Sequence, residues 1–145
     1  MDKLDLAKLS IVGFTGTRTG MTEEQKNTVS NLLGLIEPNE VHHGDCIGAD
    51  AQFHELAMSM GIRVVIHPAS GVGEQRAYCS GSYFTHDARP PLERNKDIVD
   101  ACTDMIATPV AHKEVLRSGT WATIRYARKQ GVSLNIVLPD SSLMS

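Results

Sequence analysis

The 145-residue chain has few cysteines, few aromatic side chains and no long apolar run. Its three cysteines form no CxxC pair, so we expect neither a disulfide scaffold nor a zinc site. Apolar runs such as 64–66 and 136–138 are far shorter than the roughly 20 residues that a membrane span requires. The first residues lack a basic segment followed by an apolar stretch, so we expect no secretion signal and a cytoplasmic protein.

The chain also lacks an excess of positive charge. Fourteen basic residues stand against 17 acidic ones, a net charge of −3, which disfavours a nucleic-acid partner. Apolar residues make up 41% of the chain and charged residues 21%, which is typical of a globular protein. The length predicts a single domain over 1–145, with its core at about 9–139.

Short β-branched segments alternate with segments of helical period along the whole chain. The predicted strands are 10–14, 40–43, 63–67, 104–107 and 134–138. Thr22 and Gln25 form a capping-box pair before the first helix, and Gly61 and Gly131 are typical ends of the second and fourth. The alternation predicts a three-layer α/β fold with a doubly wound, five-stranded parallel sheet. We favour the strand order 3-2-1-4-5 over 2-1-3-4-5.

A glycine-rich, polar segment at about 68–90 interrupts this alternation. Loops of this length in a small domain usually cover a ligand or are mobile. The segment follows the third strand, at the carboxyl edge of the sheet, where ligands bind in such folds. Both interpretations, a substrate-covering loop and a mobile loop, stay open.

The first strand ends in a turn that suits an anion. Small residues around Gly16 and Thr17 let backbone N–H groups approach a phosphate, and Arg18 adds a guanidinium that can bind it with two hydrogen bonds. The spacing matches neither G-x-G-x-x-G nor the Walker loop, so it specifies neither NAD nor ATP. An ordinary glycine turn with a surface arginine is the alternative.

The second strand ends in a similar turn. Gly44 and Gly48 flank it, and Asp45 and Asp50 are candidates to bind ribose hydroxyls. Helix capping by Asp50 is the alternative, and we favour a ligand contact for Asp45.

Two helix starts complete the predicted site. Ser118, Gly119 and Thr120 open the fourth helix with hydroxyl and free N–H groups, or simply cap it. Arg94 and Lys96 lie near the start of the third helix, where the helix dipole disfavours cations unless an anion or a nearby carboxylate compensates. Because all these turns meet at one edge of the sheet, together they predict a phosphate-binding cleft.

In order, these motifs resemble the SLOG superfamily over about residues 11–139. The matching segments are Gly13-Phe14-Thr15-Gly16-Thr17-Arg18, His43-Gly44-Asp45-Cys46-Ile47-Gly48-Ala49-Asp50, Glu93-Arg94-Asn95-Lys96 and Ser118-Gly119-Thr120-Trp121-Ala122-Thr123. That superfamily unites Smf/DprA proteins with phosphoribohydrolases of the "lonely guy" type, and the small YspA/YpsA-like branch is most similar. The resemblance implies a Rossmann-like fold that binds a nucleotide along the sheet edge, with Arg94 and Thr120 at its phosphate, and a homodimer.

The resemblance leaves three functions to compare. The first is binding of a nucleotide or nucleotide-derived metabolite, for instance as a sensor, without a further cofactor. The second is an N-glycosidase that releases the base from a nucleoside 5′-monophosphate. Its family motif carries a glutamate where this chain has Thr123, so another carboxylate would stabilise the oxocarbenium-like transition state, Glu93 ahead of Asp45 or Glu74. The third is binding of single-stranded DNA.

Histidines lie near the predicted strand ends and in the long loop. His42 and His43 are consecutive in a strand, so their side chains point to opposite faces. No pair has the i, i+4 spacing of a zinc helix, and we expect no metal site. We expect one or two histidines to line the cleft and the others to be structural.

Overall fold

The computed structural model describes residues 9–145. Residues 1–8 of the predicted domain, on which the expectation of no secretion signal depends, lie outside the described residues. The strands are β1 (Ile11–Gly16), β2 (Glu40–His43), β3 (Arg63–Ile66), β4 (Phe84–Thr85), β5 (Asp104–Thr108), β6 (Ser133–Val137) and β7 (Leu143–Met144). The helices are α1 (Glu23–Ile36), α2 (Ala49–Ser59), α3 (Pro91–Ala101) and α4 (Gly119–Gln130), with one turn of 3₁₀ helix at Gly73–Gln75.

All seven strands form one sheet in the order β4-β3-β2-β1-β5-β6-β7. The five longer strands are parallel and follow the predicted order, which confirms the doubly wound α/β fold. The two additional strands have two residues each. Strand β4 lies parallel to β3, and β7 runs antiparallel to β6. A strand of two residues is too short to show alternating apolar and polar side chains, so the sequence pattern did not predict the edge strands β4 and β7.

Helices cover both faces of the sheet. Helices α1 and α2 pack on one face, where Val12, Phe14, Phe53 and Ile106 belong to one fully buried cluster. Helices α3 and α4 pack against each other on the opposite face. On that face, apolar residues of both helices pack against the strand side chains that point toward them. The sheet is therefore the middle layer of three.

The helix ends follow the predicted signals. The Thr22 side chain accepts a hydrogen bond from the Gln25 amide, and the Gln25 side chain accepts one from the Thr22 amide, so the capping box is confirmed. Gly61 and Gly131 have φ of +70° and +72°, the left-handed conformation that ends a helix. Within residues 9–145, no helix is both long enough and apolar enough to cross a bilayer.

Candidate functional site

A cleft of about 470 Å³ lies where β1 and β2 end and where α3 and α4 begin. Parallel strands end at the same edge of the sheet, so the predicted turns meet there. The predicted binding residues that line this cleft are Gly16, Thr17, Arg18, Gly44, Asp50, Arg94, Ser118, Gly119 and Thr120. Asp45, Gly48 and the proposed catalytic residue Glu93 do not line it.

Gly48 joins the first two turns instead of facing the cleft. Its φ is +86°, and a Cβ atom at this position would collide with the backbone carbonyl of Arg18. The next amide, that of Ala49, donates a hydrogen bond to the Thr17 carbonyl at 2.9 Å. A glycine here therefore allows the two turns to pack backbone against backbone and form one wall of the cleft.

Asp50 supplies the one carboxylate among the described residues that line the cleft. Its Oδ2 atom accepts hydrogen bonds from the amides of Gly44 and Cys46, both at 3.2 Å, so it closes the turn after β2 rather than capping its own helix. The side chain is 6% exposed. Burial raises the pKa of Asp50 to about 6, although the nearby Arg94 guanidinium and the two amides oppose that shift.

Arg94 is held by the protein more firmly than the sequence pattern suggests. Its Nη1 donates to the carbonyls of Gly44 and His67, and its Nε donates to Asn95 Oδ1 at 2.8 Å. Among the described residues, Nη2 has one long contact, with the Cys46 sulfur at 3.7 Å. The alternative of a nearby carboxylate partner does not hold for Arg94, because Glu93 and Asp97 pair with Arg89. The Arg94 guanidinium instead ties α3 to the ends of β2 and β3.

Two other arginines at the cleft are free of carboxylates. Arg18 follows β1, Arg117 precedes α4, and both side chains are exposed. Neither takes part in an ion pair with any residue in the described part of the chain. Both guanidinium groups are therefore available to an anionic ligand. Arg117 was not among the residues selected from the sequence, and its position next to Ser118 is the one feature that could have indicated it.

The start of α4 adds backbone donors. Ser118 caps the helix by accepting a hydrogen bond from the Trp121 amide at 3.3 Å. The first two helical amides, of Gly119 and Thr120, have no acceptor within the helix. Beneath the cleft, the Thr108 hydroxyl is buried without a partner among the described residues, directly under Gly16. The amides of Gly119 and Thr120 are thus the donors that this edge offers to a ligand.

Asp45 fastens the long loop and does not face the cleft. The side chain is 1% exposed, Oδ2 accepts from Arg76 Nε at 3.0 Å, and Oδ1 accepts from the Cys79 amide at 2.9 Å. The Ala77 amide donates to the Asp45 carbonyl at 2.7 Å. Both carboxylate oxygens are occupied, so a structural role replaces the predicted ligand contact.

Glu93 is exposed on α3, away from the cleft, and its Oε2 atom lies 3.5 Å from Arg89 Nη2. Thr123, at the position of the family glutamate, donates its hydroxyl to the Gly119 carbonyl at 2.9 Å. Neither side chain lines the cleft, so neither is positioned to stabilise positive charge on a bound ribose.

His43 and His54 form a hydrogen-bonded chain on the α2 face of the sheet. His43 Nδ1 accepts from the Asp45 amide, so its Nε2 carries the proton and donates to His54 Nδ1 at 2.9 Å. His54 Nε2 then donates to the Ser80 carbonyl. Burial, together with His54, lowers the pKa of His43 to about 3, so the ring is neutral.

The same two histidines and Cys79 bring their ligand atoms within 4.8 Å of one another, the spacing of a metal site. A metal on His43 Nε2 would require a proton on Nδ1, which faces the Asp45 N–H. The hydrogen bonds therefore suit a neutral histidine pair better than a metal ion.

His42 points to the opposite face, as predicted for consecutive strand residues. It contacts Glu40 and His67 there, while His43 contacts His54. His67 and His86 stack with their ring centres 4.3 Å apart. The sequence pattern did not connect these residues, although Glu40 and His42 are two apart and so lie on the same face of β2.

No protein-family model and no curated protein matches this sequence. The molybdenum cofactor binding protein from the phototrophic bacterium Rippkaea orientalis has a similar structure, with a TM-score of 0.69 and 14% identity over 90% of this chain and 77% of that one. DNA processing protein A (DprA) from Streptococcus pneumoniae has a TM-score of 0.64 and 21% identity, over 92% of this chain and 52% of that one. At these identities the likeness shows the fold alone, a Rossmann-like three-layer α/β fold.

Proposed function

We propose that this protein binds a nucleotide or a nucleotide-derived metabolite, with the phosphate at the start of α4. The observation that carries the proposal is that Arg18 and Arg117, unpaired within residues 9–145, flank the same cleft as the open amides of Gly119 and Thr120. Guanidinium groups and helix N-termini both favour phosphate. The similar fold of a protein that binds the molybdenum cofactor supports a small-molecule ligand.

The strength of such a site is consistent with metabolite binding. Each charge-assisted hydrogen bond contributes roughly 1.5–3 kcal/mol, so four or five give micromolar affinity after the entropic cost of association. A role as a sensor and a cytoplasmic location are parts of this proposal. A homodimer, implied by the superfamily resemblance, is part of the same proposal.

A thermal-melt panel tests the proposal. Nucleoside mono- and diphosphates, NAD, ADP-ribose and cyclic nucleotides are each added at high concentration, with the phosphate-free nucleosides as matched controls. A ligand at about 100 times its Kd adds roughly 2.7 kcal/mol to the free energy of unfolding and raises the Tm by several degrees. We expect a rise with one phosphate-bearing class only. An unchanged Tm throughout, or equal rises with nucleosides, would contradict phosphate binding.

An N-glycosidase is the second candidate, and Asp50 is the observation that favours it. A carboxyl whose pKa is about 6 can hold or release a proton near neutral pH. Protonated Asp50 would donate its proton to the base as the C1′–N bond breaks, and water would then add to C1′ and give its proton to the Asp50 carboxylate. Chromatography of the melt mixtures distinguishes the candidates, because only an enzyme releases free base. Salt-sensitive retention of a single-stranded oligonucleotide would instead favour the third candidate, DNA binding.

A further inference from the structure

A second cavity of about 520 Å³ adjoins the cleft at Arg94, which lines both. It lies beside α3, below the ends of β3 and β4, and we call it the His67 cavity. His67 and His86 line it together with Asp87 and Asp97. The carbonyls of Gly44 and His67 hold the Arg94 guanidinium in place, so the boundary between the cleft and the cavity is fixed.

A chain of hydrogen bonds determines which ring nitrogen of His67 carries the proton. His42 Nε2 lies 2.6 Å from Glu40 Oε2, and a carboxylate only accepts, so His42 donates there. Burial lowers the pKa of His42 despite the opposing effect of Glu40, and the neutral ring with Nδ1 as an acceptor is therefore favoured. His67 Nε2, at 2.7 Å from that nitrogen, must carry the proton. The remaining nitrogen of His67, Nδ1, is left as a bare acceptor.

That acceptor has no partner within residues 9–145, although His67 is only 6% exposed. This nitrogen is not sealed from solvent, and His67 lines the cavity, so a donor from a ligand there would form a hydrogen bond with it. Nearby, the Asp87 carboxylate is exposed, while Asp97 binds Arg89 through both oxygens. The ring of His86 stacks on His67 and offers a flat surface in the same cavity.

The two spaces therefore differ in chemistry. The cleft has free guanidinium groups and amide donors. The His67 cavity has a ring-nitrogen acceptor, carboxylates and stacked aromatic rings, and its two arginines, Arg89 and Arg94, are engaged by protein acceptors. We propose that the His67 cavity receives the base of the nucleotide whose phosphate occupies the cleft, and that this base carries N–H donors. The inference rests on the proposed function and identifies the ligand as a nucleotide with an amine-bearing base.

Calorimetry tests this assignment on the full chain with AMP, GMP, CMP and ribose 5-phosphate, which has the phosphate but no base. We expect at least one of the three nucleotides to bind roughly tenfold more tightly than ribose 5-phosphate. His67→Phe keeps an aromatic ring but removes both nitrogens, the Nδ1 acceptor and the Nε2–H donor to His42, so it should reduce the affinity for that nucleotide to the level of ribose 5-phosphate. The affinity for ribose 5-phosphate itself should not change.

His112→Phe is the matched control, because His112 is an exposed histidine outside both spaces. Nitrogen NMR of the unsubstituted protein gives a second test that needs no variant. The His67 Nδ1 resonance should be that of an unprotonated nitrogen and should shift with the nucleotide but not with ribose 5-phosphate.

The two proposals fail in different ways. Equal affinity for all four probes, or equal weakening of nucleotide and ribose 5-phosphate by His67→Phe, would overturn the base assignment while phosphate binding stands. An Nδ1 resonance that does not respond to any nucleotide would also overturn it. Absence of binding by all four probes would contradict the proposed function as well.

Discussion

Arg76 Nε donates to Asp45 Oδ2 at 3.0 Å, and this contact holds the long loop against the turn after β2. The same carboxylate accepts from the Cys79 amide, and the Ile47 amide donates to the Gln75 carbonyl. The segment that the sequence predicted as either a covering or a mobile loop is thus attached to the turn after β2 by the buried Asp45 carboxylate and by backbone hydrogen bonds. The attachment favours an ordered wall near the cleft.

Removing that carboxylate should loosen the loop. We expect Asp45→Ala to lower the free energy of unfolding by about 2–4 kcal/mol, because it leaves a buried amide and part of a guanidinium without acceptors. Urea denaturation measures the loss, and limited proteolysis should cut the variant within 73–79 first. Glu74→Ala, an exposed change in the same loop, is the control and should have little effect. Equal protease resistance of Asp45→Ala and Glu74→Ala would contradict the anchoring role.

Much of the fold was predictable from local pattern, and the anchoring of the loop was not. Continuous apolar strands, the Thr22 cap and the glycine helix ends each depend on neighbours in sequence. Asp45 and Arg76 are 31 residues apart, and the pairing depends on where the turn after β2 meets the loop. Arg94 was likewise found from sequence, but its carbonyl partners on two strands were not.

Gly48 should tolerate no side chain, for two separable reasons. Its positive φ disfavours any L-residue, and a Cβ would also meet the Arg18 carbonyl. Gly61, at φ +70° with open space around it, isolates the first cost. We expect Gly61→Ala to lose about 1 kcal/mol of stability and Gly48→Ala to lose about 2–4 kcal/mol. Chemical denaturation checks both, and similar losses would show that the two turns separate easily.

Asp50 should make stability depend on pH. Its folded pKa, about 6, is above the ordinary 3.8, so the folded state binds the proton more tightly than the unfolded state. The stabilisation by the protonated form is complete below pH 4 and is lost as pH rises through 6, by up to about 3 kcal/mol. Asp50→Asn should remove this contribution. The free energy of unfolding, measured at pH 4.5 and 7.5, should therefore decline less with pH in the variant than in the unsubstituted protein. Identical declines would mean that Asp50 is ionised in the fold at both values.

Arg18 and Arg117 should contribute to phosphate binding independently. Both are exposed and unpaired within the described chain, so replacing either leaves no buried group without a partner. We expect Arg18→Ala and Arg117→Ala each to weaken nucleotide binding roughly 10-fold to 100-fold, the value of one charge-assisted hydrogen bond, with the Tm unchanged. Arg125→Ala is the control, because Arg125 pairs with Glu114 outside the cleft. Calorimetry at two salt concentrations checks the assignment. If both cleft variants bind with the affinity of Arg125→Ala, the phosphate does not lie between these arginines.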